Sequence, residues 1–396
     1  MELTKEQNEV VKDLIYRYKT KENYSVLCGY AGVGKTTCIK FLVNYLLNDG
    51  LREEDIIFTA FTGKAVQVMI DKGNKNAITL HKLLYRTVPK KDGTFYRTPV
   101  SEEEIPYKII ICDECSMVPK DMIDLLLSYH IHTIFIGDNY QLPPINKNDD
   151  NHLLDSPHMM LTTIHRQAQD SGIIRLSMLI REGKLIDGFK SEDALVLPKT
   201  SLNTGMLQWS DQILCATNKM RNALNQQCRE LRGFTKPIEE NEKVICLANR
   251  WETVSKQGNA LTNGCTGTLT NIFEQSWHYP WYLKVKNNQI PLITGTFTTF
   301  EGDCFGNLEF DKELLLTGNK YLSPMQEYQI RKNEKISYLI PYELAYGYAI
   351  TCHKAQGSSW PKVLVIEESF PFEREEHKRW LYTAVTRSEQ RAVLVR

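Results

Sequence analysis

The sequence lacks long hydrophobic runs, an excess of either charge and an apolar N-terminal leader. No stretch reaches the roughly 18 apolar residues that a membrane-spanning helix needs. Residues 1–5 are polar and mixed in charge, which argues against a signal peptide. We therefore expect a cytoplasmic protein with no membrane partner. Lysine plus arginine and aspartate plus glutamate both number 48, so net charge gives no argument for or against a polyanionic partner.

The ten cysteines are scattered through the chain. Cys28, Cys215 and Cys246 lie inside apolar runs, where a reduced thiol packs like a small hydrophobic side chain. Cys112 and Cys115 have C-x-x-C spacing, but no second pair follows at the spacing of a zinc finger. We expect neither disulfides nor a zinc or redox site.

Residues 29–36 match the phosphate-binding pattern G-x-x-x-x-G-K-[ST] at every defined position. The apolar segment 26–28 precedes the pattern, and residues 37–47 carry apolar side chains at helical spacing, so the required strand, loop and helix are all indicated. Backbone N–H groups of this loop can surround the phosphates of ATP, Lys35 can reach their oxygens, and Thr36 can ligate Mg²⁺. The predicted nucleotide-binding residues of this segment are Gly29, Ala31, Gly32, Val33, Gly34, Lys35, Thr36 and Thr37.

Polar side chains follow two further apolar strands. Asp113 and Glu114 come after one of them; Asp113 is the predicted Mg²⁺ ligand, and Glu114 is suited to polarise an attacking water. The strand 133–136 leads to Gln141, the candidate sensor of the γ-phosphate.

Gln7 lies in the first turn of a predicted N-terminal helix, and its amide can match the edge of adenine because it has both a donor and an acceptor. An ordinary surface glutamine is the alternative interpretation of Gln7.

The order of these motifs resembles that of superfamily 1B DNA helicases, the RecD-like and Dda-like enzymes. The similar segments are 62–65 (motif Ia), 79–82 (motif Ib), 113–116 (motif II), 137–144 (motif III), 166–167 (motif IV), 351–358 (motif V) and 382–387 (motif VI). The resemblance extends from Gln7 to the last predicted strand and is nearest to the small phage Dda-like type. Cys115 departs from the family pattern, in which a small Ala or Ser is usual.

The resemblance implies a role for each motif. The implied catalytic residues are Lys35, Glu114, Gln141, Arg166 and Arg387. The two arginines would face the nucleotide from the second half of the chain, which has no phosphate loop of its own, and would stabilise the charge on the transferring phosphoryl group. Gln356 and Gly357 would complete the nucleotide site. The implied strand-binding residues are Thr62, Lys64, Thr79, His81, Lys82, Phe95, Pro143, Thr351 and His353. Without the motifs, His81 and His353 would be interpreted as surface or capping histidines.

We expect an α/β protein with two RecA-like parallel-sheet domains, a β-hairpin pin insert and a small SH3-like β-barrel insert. Alternating strands and helices in both halves indicate the parallel sheets. The expected boundaries are 1–84 and 106–165 for domain 1A, 85–105 for the pin, 166–250 and 342–396 for domain 2A, and 251–341 for the barrel. Four aromatic residues of the barrel could stack on bases, but we expect them in its core: Trp277, Tyr279, Trp281 and Tyr282.

The pin is predicted from Asp92-Gly93, a dipeptide typical of tight hairpin turns, between extended residues. The segment 82–97 contains five basic residues and one acidic residue, which suits contact with phosphates or protection of a strand edge. In the resembling helicases the pin separates the strands, and Phe95 is the candidate wedge that stacks on the terminal base pair. Tyr96 is the alternative wedge, and packing within the hairpin is the alternative role of Phe95.

These features together predict a helicase that uses ATP and Mg²⁺, moves 5′ to 3′ along single-stranded DNA and unwinds duplex DNA at a fork, in replication, recombination or repair. We expect a monomer, with single-strand-binding or replisome proteins as candidate partners. Two alternatives stay open: a nucleotide-switched, nucleic-acid-binding ATPase that does not unwind, and a motor on RNA or an RNA–DNA hybrid. Motifs Ia, Ib, V and VI favour the motor over the switch, because a switch needs no second sheet with strand-contacting loops.

Overall fold

The computed structural model describes residues 3–89, 95–143, 152–164, 170–333, 335–368 and 374–396. Within these ranges the chain forms parallel sheets, an antiparallel sheet and short antiparallel strand pairs. The same ranges contain no helix that is long and apolar enough to cross a membrane.

The elements are numbered in chain order. The strands are β1 (Tyr24–Gly29), β2 (Ile56–Ala60), β3 (Ala77–Thr79), β4 (Tyr85–Pro89), β5 (Phe95–Pro99), β6 (Ile109–Asp113), β7 (His132–Gly137), β8 (Met159–Leu161), β9 (Ala194–Leu197), β10 (Gln212–Cys215), β11 (Lys243–Cys246), β12 (Arg250–Val254), β13 (Ala260–Leu261), β14 (Thr266–His278), β15 (Gln289–Thr299), β16 (Cys304–Asp311), β17 (Leu344–Tyr346), β18 (Ala349–Thr351), β19 (Trp360–Ile366) and β20 (Ser388–Val395). The α-helices are α1 (Lys5–Lys19), α2 (Lys35–Asn48), α3 (Gly63–Asp71), α4 (Leu80–Leu84), α5 (Lys120–Leu127), α6 (Gly172–Arg181), α7 (Thr204–Trp209), α8 (Asn218–Glu230), α9 (Lys312–Thr317), α10 (Pro324–Lys332), α11 (Cys352–Ala355) and α12 (Arg374–Val385).

The first parallel sheet has the strand order β3-β2-β6-β7-β1-β8. All its neighbouring strands run parallel. Ile109, Ile110 and Ile111 of β6 are fully buried, as is typical of a strand that is covered on both faces. Separate hydrophobic clusters pack on the two faces. The sheet contains the strand, loop and helix predicted around the phosphate-binding motif.

The second parallel sheet has the order β18-β10-β19-β20-β9. Helices α6 and α12 belong to the hydrophobic cluster on one of its faces, with Leu176 and Trp380 among the buried residues. Two parallel sheets with helices packed against them confirm the prediction of an α/β protein.

The antiparallel sheet has the order β16-β15-β14-β11-β17. It is wider than the range 251–341 expected for the barrel, because β11 pairs with β14 on one side and with β17 on the other. Phe297 and Phe310 of this sheet share one hydrophobic cluster with Ile213 and Leu364 of the second parallel sheet. The insert and the second parallel sheet therefore have a common core, so the insert is held firmly to that half of the protein.

The aromatic residues expected in the barrel core divide into two pairs. Tyr279 is buried, and Trp277 is half-buried with its indole N–H donating to Glu309. Trp281 and Tyr282 are 79% and 48% exposed, so the expectation was wrong for them. They form a short 3₁₀ turn in the connection between β14 and β15, beyond the end of the paired strands.

The predicted pin corresponds to an antiparallel hairpin of β4 and β5. The pairing runs from Tyr85 opposite Pro99 to Pro89 opposite Phe95. Phe95 therefore begins the strand that returns from the tip. Asp92-Gly93 lies outside the described residues.

The register of the first sheet places Gly137 against the loop that follows β6. A Cβ atom at Gly137 would lie 2.7 Å from Leu154 Cδ1 and 2.9 Å from Cys115 Sγ. Cys115, the departure from the family pattern, is fully buried. Its sulfur therefore fills the space that a side chain at Gly137 would need.

We predict that Gly137→Ala lowers the free energy of unfolding by about 1 to 3 kcal/mol, because it overfills this contact. Denaturant titration measures the change. Gly306→Ala is the matched control, since a Cβ atom there meets nothing within 4 Å; its effect should stay within about 0.5 kcal/mol. In a Cys115→Ala background, Gly137→Ala should lower the free energy of unfolding by less than it does in the wild-type protein. An equal decrease in both backgrounds would contradict the proposed overlap of Cys115 with a side chain at position 137.

Candidate functional site

The loops after β1, β6 and β7 meet at the carboxyl edge of the first parallel sheet. In the register Cys28 pairs with Gly137, and Cys112 pairs with Phe135. Because these strands are parallel and adjacent, the residues that follow them converge at one edge, the usual position of a ligand site in such sheets.

The phosphate loop follows β1 and leads directly into α2. Gly32 and Gly34 have positive φ angles of 79° and 89°, a conformation that favours glycine. A Cβ atom at Gly29 would lie 2.8 Å from Val33 Cγ2, so the loop closes tightly on its own strand. Lys35 Nζ donates to the carbonyl oxygens of Gly29 at 2.5 Å and Tyr30 at 3.1 Å. The N-terminus of α2 and the Lys35 ammonium group together suit an anionic ligand.

Asp113 and Glu114 form the acidic part of the site. Glu114 has φ 51° and ψ 42°, a left-handed conformation that is uncommon for a residue with a side chain and is often found at functional sites. Its N–H donates to Asp113 Oδ1 at 2.9 Å. Burial, followed by the Glu114 carboxylate, raises the pKa of Asp113 to about 6. A bound cation would favour the charged form of this carboxylate.

A cavity of about 450 Å³ lies between the two parallel-sheet domains. The first domain contributes Lys35, Thr36, Asp113 and Glu114 to its lining, and the second contributes Gly357, Ser358, Ser359, Thr386 and Arg387. The cavity therefore brings together residues that the sequence analysis predicted from separate motifs in the two halves of the chain. Its walls include apolar residues of α2, α3, β6 and β7, among them Ile39, Met69, Ile111 and Ile136.

Arg387 is buried and lies two residues beyond the end of α12. Its guanidinium donates to the carbonyl oxygens of Thr383 at 3.2 Å and Ser358 at 3.4 Å, and to Thr386 Oγ1 at 3.4 Å. Among the described side chains, no carboxylate lies within ion-pair distance of it. A buried guanidinium held only by neutral oxygens suits an anionic ligand in the cavity. Arg166, the other arginine that the resemblance implies at the nucleotide, lies outside the described residues.

Gln141 lies in the loop after β7 and is 7% exposed. Its backbone N–H donates to the Asp138 carbonyl at 3.2 Å. Its side-chain oxygen, Oε1, is buried and has no hydrogen-bond partner among the residues that the structure describes. A buried acceptor of this kind fits a site where a water or a ligand supplies the donor.

Gln7 and Gln356 have amide groups that bond to the protein backbone. Gln7 Nε2 donates to the Val33 carbonyl of the phosphate loop at 3.0 Å, and its Oε1 accepts from the Thr4 N–H at 3.1 Å. Gln356 Nε2 donates to the Leu142 carbonyl at 2.5 Å. In this structure both side chains support loops of the site, and their direct contact with a nucleotide stays a prediction.

Three threonines among the strand-binding candidates lie at the starts of helices. Thr62 Oγ1 accepts from the N–H of Ala65, and Thr79 Oγ1 accepts from the N–H of Lys82, so both hydroxyls cap their helices. Thr351 directly precedes α11. Helix starts of this kind leave backbone N–H groups that can bind phosphates.

Four other strand-binding candidates are placed as follows. Lys64 Nζ pairs with Glu301 Oε1 of the antiparallel sheet at 3.0 Å. The His81 ring lies 5.3 Å from that of Phe61. Burial lowers the pKa of His353, which favours a neutral ring. Pro143 is exposed. Their contact with a nucleic-acid strand stays a prediction.

Sequence reasoning missed several residues that join the two parallel-sheet domains. The Tyr382 hydroxyl donates to Asp138 Oδ2 at 2.6 Å and accepts from the Ala31 N–H at 2.8 Å. Thr383 Oγ1 accepts from the Leu142 N–H at 2.9 Å. Tyr382 and Thr383 belong to a recognised motif, but the sequence gives no sign that their partners lie in the first domain.

The C-x-x-C pair lies in the protein interior. Cys112 and Cys115 are both fully buried, and burial raises the pKa of each thiol. No group of three or more histidine, cysteine, aspartate or glutamate side chains in the described parts of the chain is arranged to hold a metal ion.

Two family models match the chain. The model described as an AAA domain matches residues 2–195, and the model described as a UvrD-like helicase C-terminal domain matches residues 346–395. The first range contains the phosphate loop and the acidic pair, and the second contains Tyr382 and Arg387. The first match therefore covers the whole first parallel sheet and extends into α6 and the start of β9, and the second covers strands β18, β19 and β20 of the second sheet.

Two curated relatives are similar to the chain. It is 27% identical over 194 residues to the ATP-dependent DNA helicase dda of Enterobacteria phage T4, covering 46% of this chain and 43% of that protein. It is 24% identical over 391 residues to the ATP-dependent RecD2 DNA helicase of Deinococcus radiodurans, covering 92% of this chain and 46% of that protein. The chain spans less than half the length of either relative.

A solved structure shares the fold. The crystal structure of Bacteroides Pif1 bound to ssDNA aligns with a TM-score of 0.51 and 18% identity, covering 100% of this chain and 92% of that one. At this level of identity the similarity shows that the arrangement of two RecA-like sheets is common to both chains.

Substitutions at Lys35 and Glu114 should separate nucleotide binding from turnover. We predict that Lys35→Ala weakens nucleotide binding by at least about 10-fold, because it removes a charged hydrogen-bond donor. Glu114→Gln should bind nucleotide normally and lower ATP turnover by roughly 10²- to 10⁴-fold, because it removes only the carboxylate. Titration with a fluorescent nucleotide and a phosphate-release assay measure the two effects.

The matched control is Lys12→Ala, which removes an exposed cation from the neighbouring helix α1, outside the lining of the cavity. It should leave both quantities within about 3-fold, since an exposed charge contributes little. Equal losses of nucleotide affinity in Lys35→Ala and Glu114→Gln would contradict the assignment of nucleotide binding to Lys35 and of turnover to Glu114.

Proposed function

We propose that this chain, as a Dda-, RecD- and Pif1-like member of superfamily 1B, is an ATP-dependent DNA helicase that moves 5′ to 3′ on single-stranded DNA and unwinds duplex DNA. One observation carries the proposal: a phosphate loop and an acidic pair from one parallel sheet line the same cavity as a buried arginine from the other. Hydrolysis in that cavity would depend on both sheets, so it can be coupled to their relative movement.

Each site residue has a proposed chemical task. Lys35 binds phosphate oxygens, Glu114 orients and polarises the attacking water, and Gln141 contacts the same water or the γ-phosphate through its buried amide. Arg387, together with Arg166, stabilises charge on the transferring phosphoryl group. The left-handed backbone at Glu114 fixes the direction of its carboxylate relative to Asp113.

The residues present also fit Mg²⁺. Thr36 and Asp113 line the cavity and offer oxygen ligands, which this ion prefers. Bound with the nucleotide, Mg²⁺ would neutralise charge on the phosphate oxygens. Thr36 and Asp113 would orient it there through their oxygens.

Movement along a strand needs contacts on both sheets. We assign Thr62, Lys64 and His81 to the first domain's grip, and Thr351 and His353 to that of the second. Closing and opening of the cavity would move these groups toward and away from each other while the two grips on the strand alternate, and this alternation would give steps in one direction. A monomer suffices for this scheme, and single-strand-binding or replisome proteins would act on loading.

Unwinding of tailed duplexes tests the proposed activity. We expect ATP-dependent strand separation of DNA with a 5′ single-stranded tail and none with a 3′ tail. Activity on the 3′ tail alone would overturn the proposed direction. Strand-stimulated hydrolysis with no unwinding of either substrate would favour the nucleotide-switched alternative, and faster unwinding of RNA or hybrid duplexes would identify a different substrate.

The pin gives a second prediction for this function. Phe95→Ala should reduce unwinding while single-strand-stimulated hydrolysis continues, because a base–aromatic contact contributes about 1 to 3 kcal/mol. That is similar to the stacking free energy of one DNA step, about 1.4 kcal/mol. Unwinding and hydrolysis are measured on the same preparation.

Tyr96→Ala is the matched comparison, since it removes the adjacent aromatic ring. If Tyr96→Ala alone reduces unwinding, Tyr96 is the wedge. Parallel loss of unwinding and hydrolysis in Phe95→Ala would show that Phe95 supports the fold or the grip on the strand.

A further inference from the structure

The Tyr382 hydroxyl joins three segments that are distant in sequence. Tyr382 lies on α12 and is 1% exposed, as is Asp138. The Ala31 N–H can only donate, so the hydroxyl must accept from it and direct its own hydrogen to Asp138. The result is an ordered chain of two hydrogen bonds from the phosphate loop, through the second domain, to the loop after β7.

Side chains of the second domain also form hydrogen bonds with residues before and after Gln141 in the chain. Thr383 Oγ1 accepts from the N–H of Leu142, and Gln356 Nε2 donates to the carbonyl of the same residue. On the other side, Asp138 is held by Tyr382. The position of Gln141 in the first domain is therefore determined in large part by side chains of the second domain.

A neighbouring contact fixes the phosphate loop against the same surface. The guanidinium of Arg181, at the end of α6, lies 3.5 Å from the centre of the Tyr30 ring, well within cation–π distance. Tyr30 and Ala31 are consecutive residues of the phosphate loop, so both contact the second domain. A change in the conformation of this loop must alter at least one of these contacts.

The helix that bears Tyr382 is connected to groups on both sides of the second domain. Arg387 follows α12 and donates to the Thr383 carbonyl at 3.2 Å. Cys352 Sγ contacts the Trp380 carbonyl at 3.7 Å, which links α12 to α11 and its His353. One helix therefore connects the phosphate loop to the arginine of the cavity and to the proposed strand contacts.

We propose that Tyr382 is a positioning residue that couples the phosphate loop to strand binding through its bonds to Ala31 and Asp138. Filling of the phosphate loop changes the Ala31 contact, and α12 passes the change to Arg387 and α11. This inference rests on the proposed function, because it needs a strand that stimulates hydrolysis. Tyr382 itself touches no reacting atom.

The test is Tyr382→Phe, which keeps the ring and removes only the hydroxyl. The measured quantity is the ratio of single-strand-stimulated to basal ATP hydrolysis, together with KM and kcat for ATP and the dissociation constant of a fluorescent nucleotide. We expect the ratio to fall at least about 5-fold, the lower end of usual coupling between two sites. Basal kcat and nucleotide affinity should change less than about 3-fold, a split that general damage to the fold does not produce.

Tyr140→Phe is the matched control. Tyr140 is at the same interface, with its ring 5.2 Å from that of Tyr382, and its hydroxyl donates to the Arg181 carbonyl at 3.1 Å. Among the described residues the Tyr140 hydroxyl contacts Arg181 and Glu375 and not the phosphate loop, so Tyr140→Phe should keep the stimulation ratio within about 2-fold. An equal fall in both variants would assign the effect to the interface as a whole and would overturn the role of Tyr382.

A second variant keeps the test decisive if Tyr382→Phe does not fold. Asp138→Asn retains an acceptor for the hydroxyl and removes its charge, so the ratio should fall by a smaller factor. An unchanged ratio in either folded variant, with a stimulated wild-type enzyme, would overturn the inference alone. A wild-type enzyme that no single strand stimulates would instead overturn the proposed function, and the inference with it.

Discussion

The site depends on the parallel register of β1, β6 and β7. These strands are buried on both faces, so their polar successors can lie only at the edge where the strands end. The register brings the phosphate loop, the acidic pair and the Gln141 loop to the same level. Burial then sets their chemistry: it raises the pKa of Asp113 and makes an unpaired amide oxygen at Gln141 costly unless a donor is supplied.

The parts of the site that sequence reasoning located are those carried by local patterns. The phosphate loop and the acidic strand end are contiguous segments, and backbone geometry alone places their groups at the sheet edge. The partners of Gln7, Gln356 and Tyr382 lie 26, 214 and 351 residues away. The Gln7 contact depends on packing within the first domain, and those of Gln356 and Tyr382 depend on how the two domains pack. Periodicity shows neither. The resemblance supplied the motif around Tyr382 but not the direction of its hydroxyl.

The fold, like the site, was predicted where local sequence patterns determine it and was not predicted where distant segments pack together. Alternating strands and helices predicted two parallel sheets, because that pattern leaves few other arrangements. The antiparallel insert was expected to span residues 251–341, yet β11 and β17 join its sheet from outside that range and its core continues into the second parallel sheet. Trp281 and Tyr282 are large aromatic residues, which are common in protein cores, but they lie in a turn beyond the paired strands. Aromatic residues indicate burial only where the backbone pairing around them is known.

The ion pair between Lys64 and Glu301 has a topological consequence. It joins the start of α3, in the first half of the chain, to the turn between β15 and β16 of the antiparallel insert. The insert shares its core with the second parallel sheet, so this pair links the two halves of the chain. A partly exposed pair of this kind contributes only about 1 kcal/mol or less. Thermal motion can therefore break this link without unfolding either half.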